Sequence, residues 1–323
     1  MYGAASNDTA SLSAWTTCSR THIVLPVVVY VWFLPLHVVV LLLVVFGNAL
    51  VITAFVKYEN TRTTPNYFLL SLSVADILMA PAEAVLMYAN VTSDFRVTSR
   101  ERVPCMIGLN VFLLSLSGSM LSLLGISIDR YIKIIHPLRY ESILSPWRAK
   151  MALAVMWALL LCISSPVYLW NHFHAGMTCG ADVIALRHNG YVLIPVSMCA
   201  MVVISALYIR IFFAALRQRR AIQDSEAVVR SAGGSTGAEE ANLTKMAALI
   251  IGLLYLSWTP AIFITLLFGE CHSVLRTALE LFSLTLLSCN CFMNPVVYQW
   301  RSPEFGAAIR KLLNCQDGQD VHD

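Results

Sequence analysis

Seven long apolar runs constrain this chain more than any other feature of its sequence. They lie at roughly 26–57, 66–90, 102–135, 148–170, 189–217, 241–269 and 275–299. Lipid offers no partner to a backbone N–H or C=O. A run that enters a bilayer must therefore satisfy its own backbone, and an α-helix does so within one segment. About 20 residues cross the hydrocarbon layer, and every run reaches that length. The expected fold is an all-α membrane protein, a bundle of seven transmembrane helices. Composition agrees, with 58% hydrophobic and 13% charged residues, against about 25% charged in a soluble domain. The same balance excludes a disordered chain. A net charge of +3 is too small to point to nucleic acid, and no such partner is expected.

Basic residues set the expected orientation. They gather in alternate connections: Arg62; then Arg130, Lys133, Arg139, Arg148 and Lys150; then Arg210 to Lys245; then Arg301, Arg310 and Lys311 in the tail. The opposite side holds fewer, at Arg96, Arg100, Arg102, Arg187 and Arg276. This predicts an extracellular N-terminus over 1–25, a bundle over 26–299 and a cytoplasmic tail over 300–323. Residues 1–21 are polar and lack the pattern of a cleavable signal peptide, so the first span is expected to direct insertion. Asn7 and Asn90 begin glycosylation sequons on the predicted outer side, whereas the Asn242 sequon falls on the inner side. Residues 221–240 read as the one linker. Phe305, Ile309, Leu312 and Leu313, with Arg310 and Lys311 between them, predict a short amphipathic eighth helix on the inner leaflet. Cys315 at its end is a candidate palmitoylation site.

Polar residues inside the spans carry the chemistry. Asp76 lies midway along the second run. An ionised group at that depth is costly and marks function, unless it is a neutral, hydrogen-bonded acid. Asn48, Ser119, Asn290 and Asn294 fall at matching depth. One carboxylate with hydroxyl and amide oxygens can hold a small hard cation, and sodium fits. Arg130 closes the third run in Asp129-Arg130-Tyr131. Asp129 can pair with its guanidinium, and Glu240 at the start of the sixth span can reach it too. The alternative is that these are interfacial charges only. Pro260, two residues after Trp258, is expected to kink span six and to act either as a hinge or as a structural proline. Asn294-Pro295-x-x-Tyr298 closes span seven; Asn294 can satisfy a freed backbone group, and Tyr208 can meet Tyr298 through water.

Together these residues resemble the rhodopsin-like, class A G-protein-coupled receptors, and the resemblance covers the whole chain. Gly47-Asn48, Leu72 through Asp76, Asp129-Arg130-Tyr131, Trp157, Trp258-x-Pro260 and Asn294-Pro295-x-x-Tyr298 carry it. Ile126 to Ile132, Pro137-Leu138-Arg139-Tyr140 and Tyr208 to Phe212 resemble adenosine receptors, within a group that includes melanocortin, cannabinoid and lysolipid receptors. The resemblance implies a Cys105–Cys179 disulfide; a Cys18–Cys271 bond is left open. It implies a plasma-membrane receptor, not an enzyme, that binds an extracellular small ligand and activates a heterotrimeric G protein, with raised cyclic AMP as the expected output. Arrestin, a receptor kinase and membrane lipid are implied as further partners. Leu138 would enter the G protein, and Asp129, Arg130, Tyr131, Tyr208, Glu240, Trp258 and Tyr298 would form the switch.

By the same geometry the ligand would meet Phe112, Leu113, Leu116, Ala261, Ile262, Thr265, Leu284 and Ser288. Adenosine receptors carry an asparagine where Thr265 stands and a histidine where Ser288 stands. The lining is mostly apolar, so a lipid or other apolar ligand is the alternative. Phe112 gives a biogenic amine no counter-ion. Glu83 is either a ligand anchor or a structural acid. No repeated halves favour a transporter, and no catalytic constellation or zinc-spaced cysteine pair occurs.

Overall fold

The structure, a computed structural model, describes residues 27–92, 102–165, 179, 194–226, 236–268, 274–301 and 303–313. Seven long helices form the bundle: α1 (Val27–Lys57), α2 (Thr64–Thr92), α3 (Arg102–Ile135), α4 (Pro146–Ser164), α5 (Ile194–Glu226), α6 (Thr236–Phe268) and α7 (Val274–Arg301). A shorter α8 (Pro303–Leu313) follows. Six of the long helices are apolar enough to cross a membrane over their described residues, and α6 contributes the shorter apolar stretch Ile251–Ile264. The seven-span expectation is met. The most extensive contact joins α2 to α3; α1 packs on α2 and α7, α3 on α4 and α5, and α7 on α6.

The structure moves some boundaries. The expected linker over 221–240 is helical at both its ends: α5 runs on to Glu226 and α6 begins at Thr236. The added turns hold Ala221, Gln223, Glu226, Ala238, Glu239 and Glu240, all good helix formers. They are too polar for a hydropathy window to tell from linker. Asn90-Val91-Thr92 forms the last turn of α2; the Asn90 side chain, like Asn7, Cys18, Cys271 and Cys315, lies outside the described residues. The eighth helix buries Phe305, Ala308 and Ile309 against the protein and leaves Arg310 and Lys311 exposed. Its apolar face is thus used at least partly on α1 and the turn Glu59–Thr61.

Cross-helix polar bonds and small residues set how closely the helices approach. Trp157 Nε1 donates to Ser71 Oγ at 3.0 Å, and Ser71 meets Ser122 Oγ at 2.9 Å, so α4, α2 and α3 share one polar knot. Ser115 Oγ donates to the Ala75 carbonyl at 2.7 Å. Asn110 Nδ2 donates to the Ser164 carbonyl near the end of α4 at 2.7 Å. Glycine opens the packing where side chains cross. A Cβ on Gly118 would stand 3.0 Å from the Trp157 ring, and one on Gly125 only 2.5 Å from the Phe68 ring.

Gly125 and Gly252 should therefore respond in opposite directions to alanine. A helical glycine gains about 1 kcal/mol on becoming alanine, while overpacking costs about 1–3 kcal/mol. At Gly125 the clash with Phe68 outweighs the gain. At Gly252 nothing lies within 4 Å of the new methyl. Gly125→Ala is expected to lower the melting temperature of purified protein by a few degrees and Gly252→Ala to raise it. Equal shifts would contradict this account of the α2–α3 contact.

Candidate functional site

The first polar cluster lies in mid-bundle, where α1, α2, α3 and α7 meet. Pro295 has no N–H, so the Cys291 carbonyl one turn earlier loses its helical partner. Asn48 Nδ2 of α1 donates to that carbonyl at 3.3 Å and to Val44 O at 3.0 Å. Gly47 makes the approach possible, since a Cβ there would stand 3.3 Å from Pro295 Cγ. This corrects the expectation that Asn294 serves the freed backbone. Asn294 Nδ2 instead donates to Asp76 Oδ2 at 2.9 Å.

Asp76 and Asn48 have no exposed surface; Ser119 and Asn294 are buried beside Asp76, and Asn290 is buried on α7. Ser119 and the Cys291 thiol face the Asp76 carboxyl. Neither makes a well-formed bond to Oδ1, so Asp76 Oδ1 is left without a partner, as is Asn48 Oδ1. Two buried acceptor oxygens thus lack a donor. In the sequence the Cys291 thiol reads as one more apolar packing residue, with nothing to mark it as a neighbour of Asp76.

The second cluster lies at the end of the bundle opposite the Cys105–Cys179 bond. Asp129 is buried, and its Oδ1 accepts from the Tyr140 hydroxyl at 2.6 Å. Tyr140 opens the four-residue helix Tyr140–Ile143 after the turn Pro137–Arg139. Thr64 at the start of α2 faces the same phenol. Burial, then the Asp129 carboxylate, holds the Tyr140 phenol above its ordinary range, so it stays a donor. The expected Asp129–Arg130 pair is present only as a charge contact, with Nε 3.8 Å from Oδ2 and neither atom hydrogen-bonded. Sequence reasoning missed Tyr140, since no spacing rule links a loop tyrosine to an acid eleven residues earlier.

Around this cluster Tyr131 stacks edge-on with His136. Tyr208 is buried and faces Ser127 and Arg130. Leu138 is fully exposed, at 101% of its reference area. Trp258 is buried above Leu254, and Pro260 lies inside α6. The side chains of Glu240, Thr265 and Tyr298 lie outside the described residues.

Toward the disulfide end, Phe112, Leu116, Ala261 and Ile262 are half-buried and pack on one core with buried Leu113 nearby. Leu284 is half-buried. Ser288 has no exposed surface; its hydroxyl donates to Leu284 O at 2.9 Å and faces Glu83. Glu83 in turn meets His37 of α1 at 2.7 Å. A histidine inside the first apolar run is a legible signal of such a buried partner. Cys105 and Cys179 form the disulfide that the resemblance implied, with Cα atoms 5.8 Å apart.

The comparisons with known proteins agree with this geometry. The family described as 7 transmembrane receptor (rhodopsin family) matches residues 47–298. Adenosine receptor A2a of Canis lupus familiaris is 29% identical over 305 residues, covering 87% of this chain and 72% of that receptor. Adenosine receptor A2b of Gallus gallus is 27% identical over 316 residues, covering 87% and 88%. Alpha-1D adrenergic receptor of Sus scrofa is 28% identical over 327 residues, covering 85% and 55%.

Removing the Tyr140 hydroxyl tests the second cluster. A hydrogen bond to a charged group contributes about 1.5–3 kcal/mol. Tyr140→Phe should lower the melting temperature measurably. A phenol held above its ordinary range supplies stability that is lost only as pH rises past about 10. The loss should therefore be equal at about pH 6.5 and about pH 8.5. A variant as stable as wild type would remove Tyr140 from the cluster.

Proposed function

The chain belongs to the rhodopsin family of seven-transmembrane receptors, and from that membership we propose its ligand class, its coupling device and an ion that it holds. It is a G-protein-coupled receptor of the plasma membrane, which transduces rather than catalyses. The ligand is an extracellular small molecule of adenosine-like kind, and the G protein raises cyclic AMP. The adenosine receptors among its relatives support this reading. The apolar wall of Phe112, Leu113, Leu116, Ala261, Ile262 and Leu284 supports a second one, a lipid or other apolar ligand. Thr265 and Ser288, in place of asparagine and histidine, favour the same alternative. The N-terminus faces outward and the tail inward. Asn7 and Asn90 carry glycans, Cys315 a palmitoyl chain, and arrestin and a receptor kinase act on the inner face.

One observation carries the coupling reading: a fully exposed leucine follows a guanidinium that its neighbouring carboxylate holds only loosely. Leu138 has no apolar cover of its own. Arg130 sits 3.8 Å from Asp129, whose better bond goes to Tyr140. The G protein meets Leu138 by apolar contact and Arg130 by its freed N–H groups. Glu240 restrains Arg130 in the resting state, while Tyr131, Tyr208, Trp258 and Tyr298 relay the movement of α6.

Nucleotide exchange on each class of Gα, at matched surface level, tests this. Arg130→Ala should fall to background while purine nucleoside or lysolipid binding persists. Leu138→Ala should couple about tenfold more weakly, equivalent to about 1.4 kcal/mol of lost contact. Glu240→Ala should raise basal exchange by a small factor, since a solvent-near pair contributes about 1 kcal/mol or less. Full exchange by the Arg130 variant would overturn the mechanism.

Sodium is the proposed ion at Asp76, Ser119, Asn290 and Asn294. The donor set fits it: a carboxylate, a hydroxyl and amide oxygens, with Asp76 Oδ1 and, on α1, Asn48 Oδ1 buried without a donor. A bound cation would balance an ionised Asp76. An ion that binds only the folded receptor stabilises it by about 2.7 kcal/mol at a hundredfold excess over Kd. Sodium chloride should thus raise the melting temperature above that in choline chloride at equal ionic strength. Asp76→Asn should abolish the difference. No difference in wild type would reject the site.

A further inference from the structure

The coupling mechanism gives α6 a movement but no restraint on its α5 side. The sequence of α6 weakens one segment of its backbone. Pro260 has no N–H, so the Leu256 carbonyl has no helical partner. Ser257 Oγ turns back on the Leu253 and Leu254 carbonyls at 2.8 and 3.1 Å, and such back-bonding bends a helix. Bending is easiest between these residues, and the half of α6 that carries Glu240 is the half that swings.

Tyr255 stands within this segment. Its hydroxyl meets Ser205 Oγ of α5 at 3.0 Å. Ser205 lies midway along the apolar span Pro195–Ala214, and Tyr255 lies within Ile251–Ile264, so both hydroxyls are at hydrocarbon depth. They sit at the rim of the α5–α6 contact. Ile204 and Tyr208 of α5 and Leu254 and Trp258 of α6 are buried, whereas Ser205 is half-buried and Tyr255 is 38% exposed. Val202, Ile209 and Leu256 around them are exposed and apolar. Ser205 Oγ also reaches the Met201 carbonyl of its own helix at 2.8 Å, which fixes where it points. Hydrocarbon offers a hydroxyl no other partner, so nothing competes for the contact.

Leverage sets how much movement the contact permits. With about 1.5 Å of rise per residue, Tyr255 lies about 7 Å along the axis from Pro260, and Thr236 about 36 Å. A contact of 3.0 Å ceases to be a hydrogen bond once it lengthens by about 0.5 Å. At a lever ratio of about five, the start of α6 moves only about 2–3 Å before that point. A larger swing, with Tyr255 kept in its rotamer, requires the contact broken. One turn nearer the start of α6, Gly252 offers no substitute: no atom lies within 4 Å of where its Cβ would stand.

We infer that Ser205 and Tyr255 form a tie across the α5–α6 seam that restrains the swing of α6 about Pro260, and that Tyr255 is thereby a positioning residue for G-protein engagement. This role rests on α6 being the helix that moves. The tie differs from the Arg130–Glu240 restraint in place and in kind: it lies at hydrocarbon depth and carries no charge, so salt does not screen it. Tyrosine suits the task, because its ring spans the gap between the helices and its hydroxyl gives the contact direction. Phenylalanine would keep the first property and lose the second. Hydrogen bonds between membrane helices are modest, equivalent to about two- to threefold in an equilibrium. The tie therefore biases the swing without locking it.

Distances between spin labels at Arg217 of α5 and Ala241 of α6, in the full-length receptor in lipid nanodiscs, test the tie without a G protein. The labels enter through genetically encoded residues, so the native cysteines stay. Tyr255→Phe and Ser205→Ala should each add a population displaced by more than about 3 Å. The double variant should add no more than either alone, since both remove one contact. Ser205→Thr keeps the hydroxyl and should match wild type. Basal nucleotide exchange at matched surface level should rise about two- to threefold in Tyr255→Phe and Ser205→Ala. Distances equal to wild type in both single variants overturn the tie. So do two single effects that simply add, which would make each residue a packing residue of its own helix. Exchange that falls in these variants overturns it as well, because the contact would then favour the open state. If the distances shift and exchange does not, the tie holds and the coupling reading fails.

Discussion

A backbone carbonyl that cannot reach water must be bonded inside the protein, and the bundle is arranged around this requirement. Pro295 breaks the ladder of α7 and strands the Cys291 carbonyl; Asn48 reaches across from α1 to fill it. Leaving such a group unmet in hydrocarbon costs several kcal/mol. That one bond explains why Gly47 precedes Asn48, because α1 must come close to Pro295. It also has a consequence. Asn48 commits both amide hydrogens to carbonyls, so its own oxygen has no donor, and Asp76 Oδ1 is in the same position. Satisfying the backbone leaves acceptors in surplus where the proposed cation would sit.

The other end of the bundle shows magnitude deciding between two partners. Asp129 has a choice of Tyr140 and Arg130. The phenol makes a 2.6 Å bond, whereas the guanidinium stands 3.8 Å away with no hydrogen bond and is partly exposed. A charge-assisted bond contributes about 1.5–3 kcal/mol, and a solvent-near ion pair about 1 or less. Asp129 is therefore anchored to the loop after α3, and Arg130 is held weakly. A weakly held arginine suits a switch better than a locked one, since little has to be broken to engage a partner.

The fold was legible because hydrophobicity alone forces it. Seven apolar runs with nowhere to bond but within themselves have one outcome. The ends were less legible: the turns of α5 beyond 217 are polar helix that no hydropathy window can see. Among site residues, Asp76 and Asn294 could be paired in advance, since a carboxylate at bilayer depth must find a donor. Tyr140 could not, because its contact depends on how a short loop folds back under α3. His37 stood in plain view as a histidine in an apolar run. It needed to be matched with Glu83, which the sequence leaves as an acid of two meanings, and only the crossing of α1 over α2 pairs them.

These contacts form one seam that winds about the α7 axis, because three-residue steps fall short of a full turn. Thr285, Ser288, Cys291 and Asn294 recur every three residues along α7. Each meets α1 or α2: Thr285 meets His37, Ser288 meets Glu83, the Cys291 carbonyl meets Asn48 and Asn294 meets Asp76. The seam is polar, although the helices on either side are apolar, and polar bonds have direction where dispersion contacts do not. Sliding α7 by a fraction of a turn would cost several of these bonds together, so the helix has few stable positions rather than a continuum. Coupling between distant sites requires an element with discrete arrangements that both sites bias. The α7 seam has that character. The His37–Glu83 contact lies at one end, Asp76 in the middle, and Pro295 loosens the helix just where the seam ends and the segment toward Tyr298 begins.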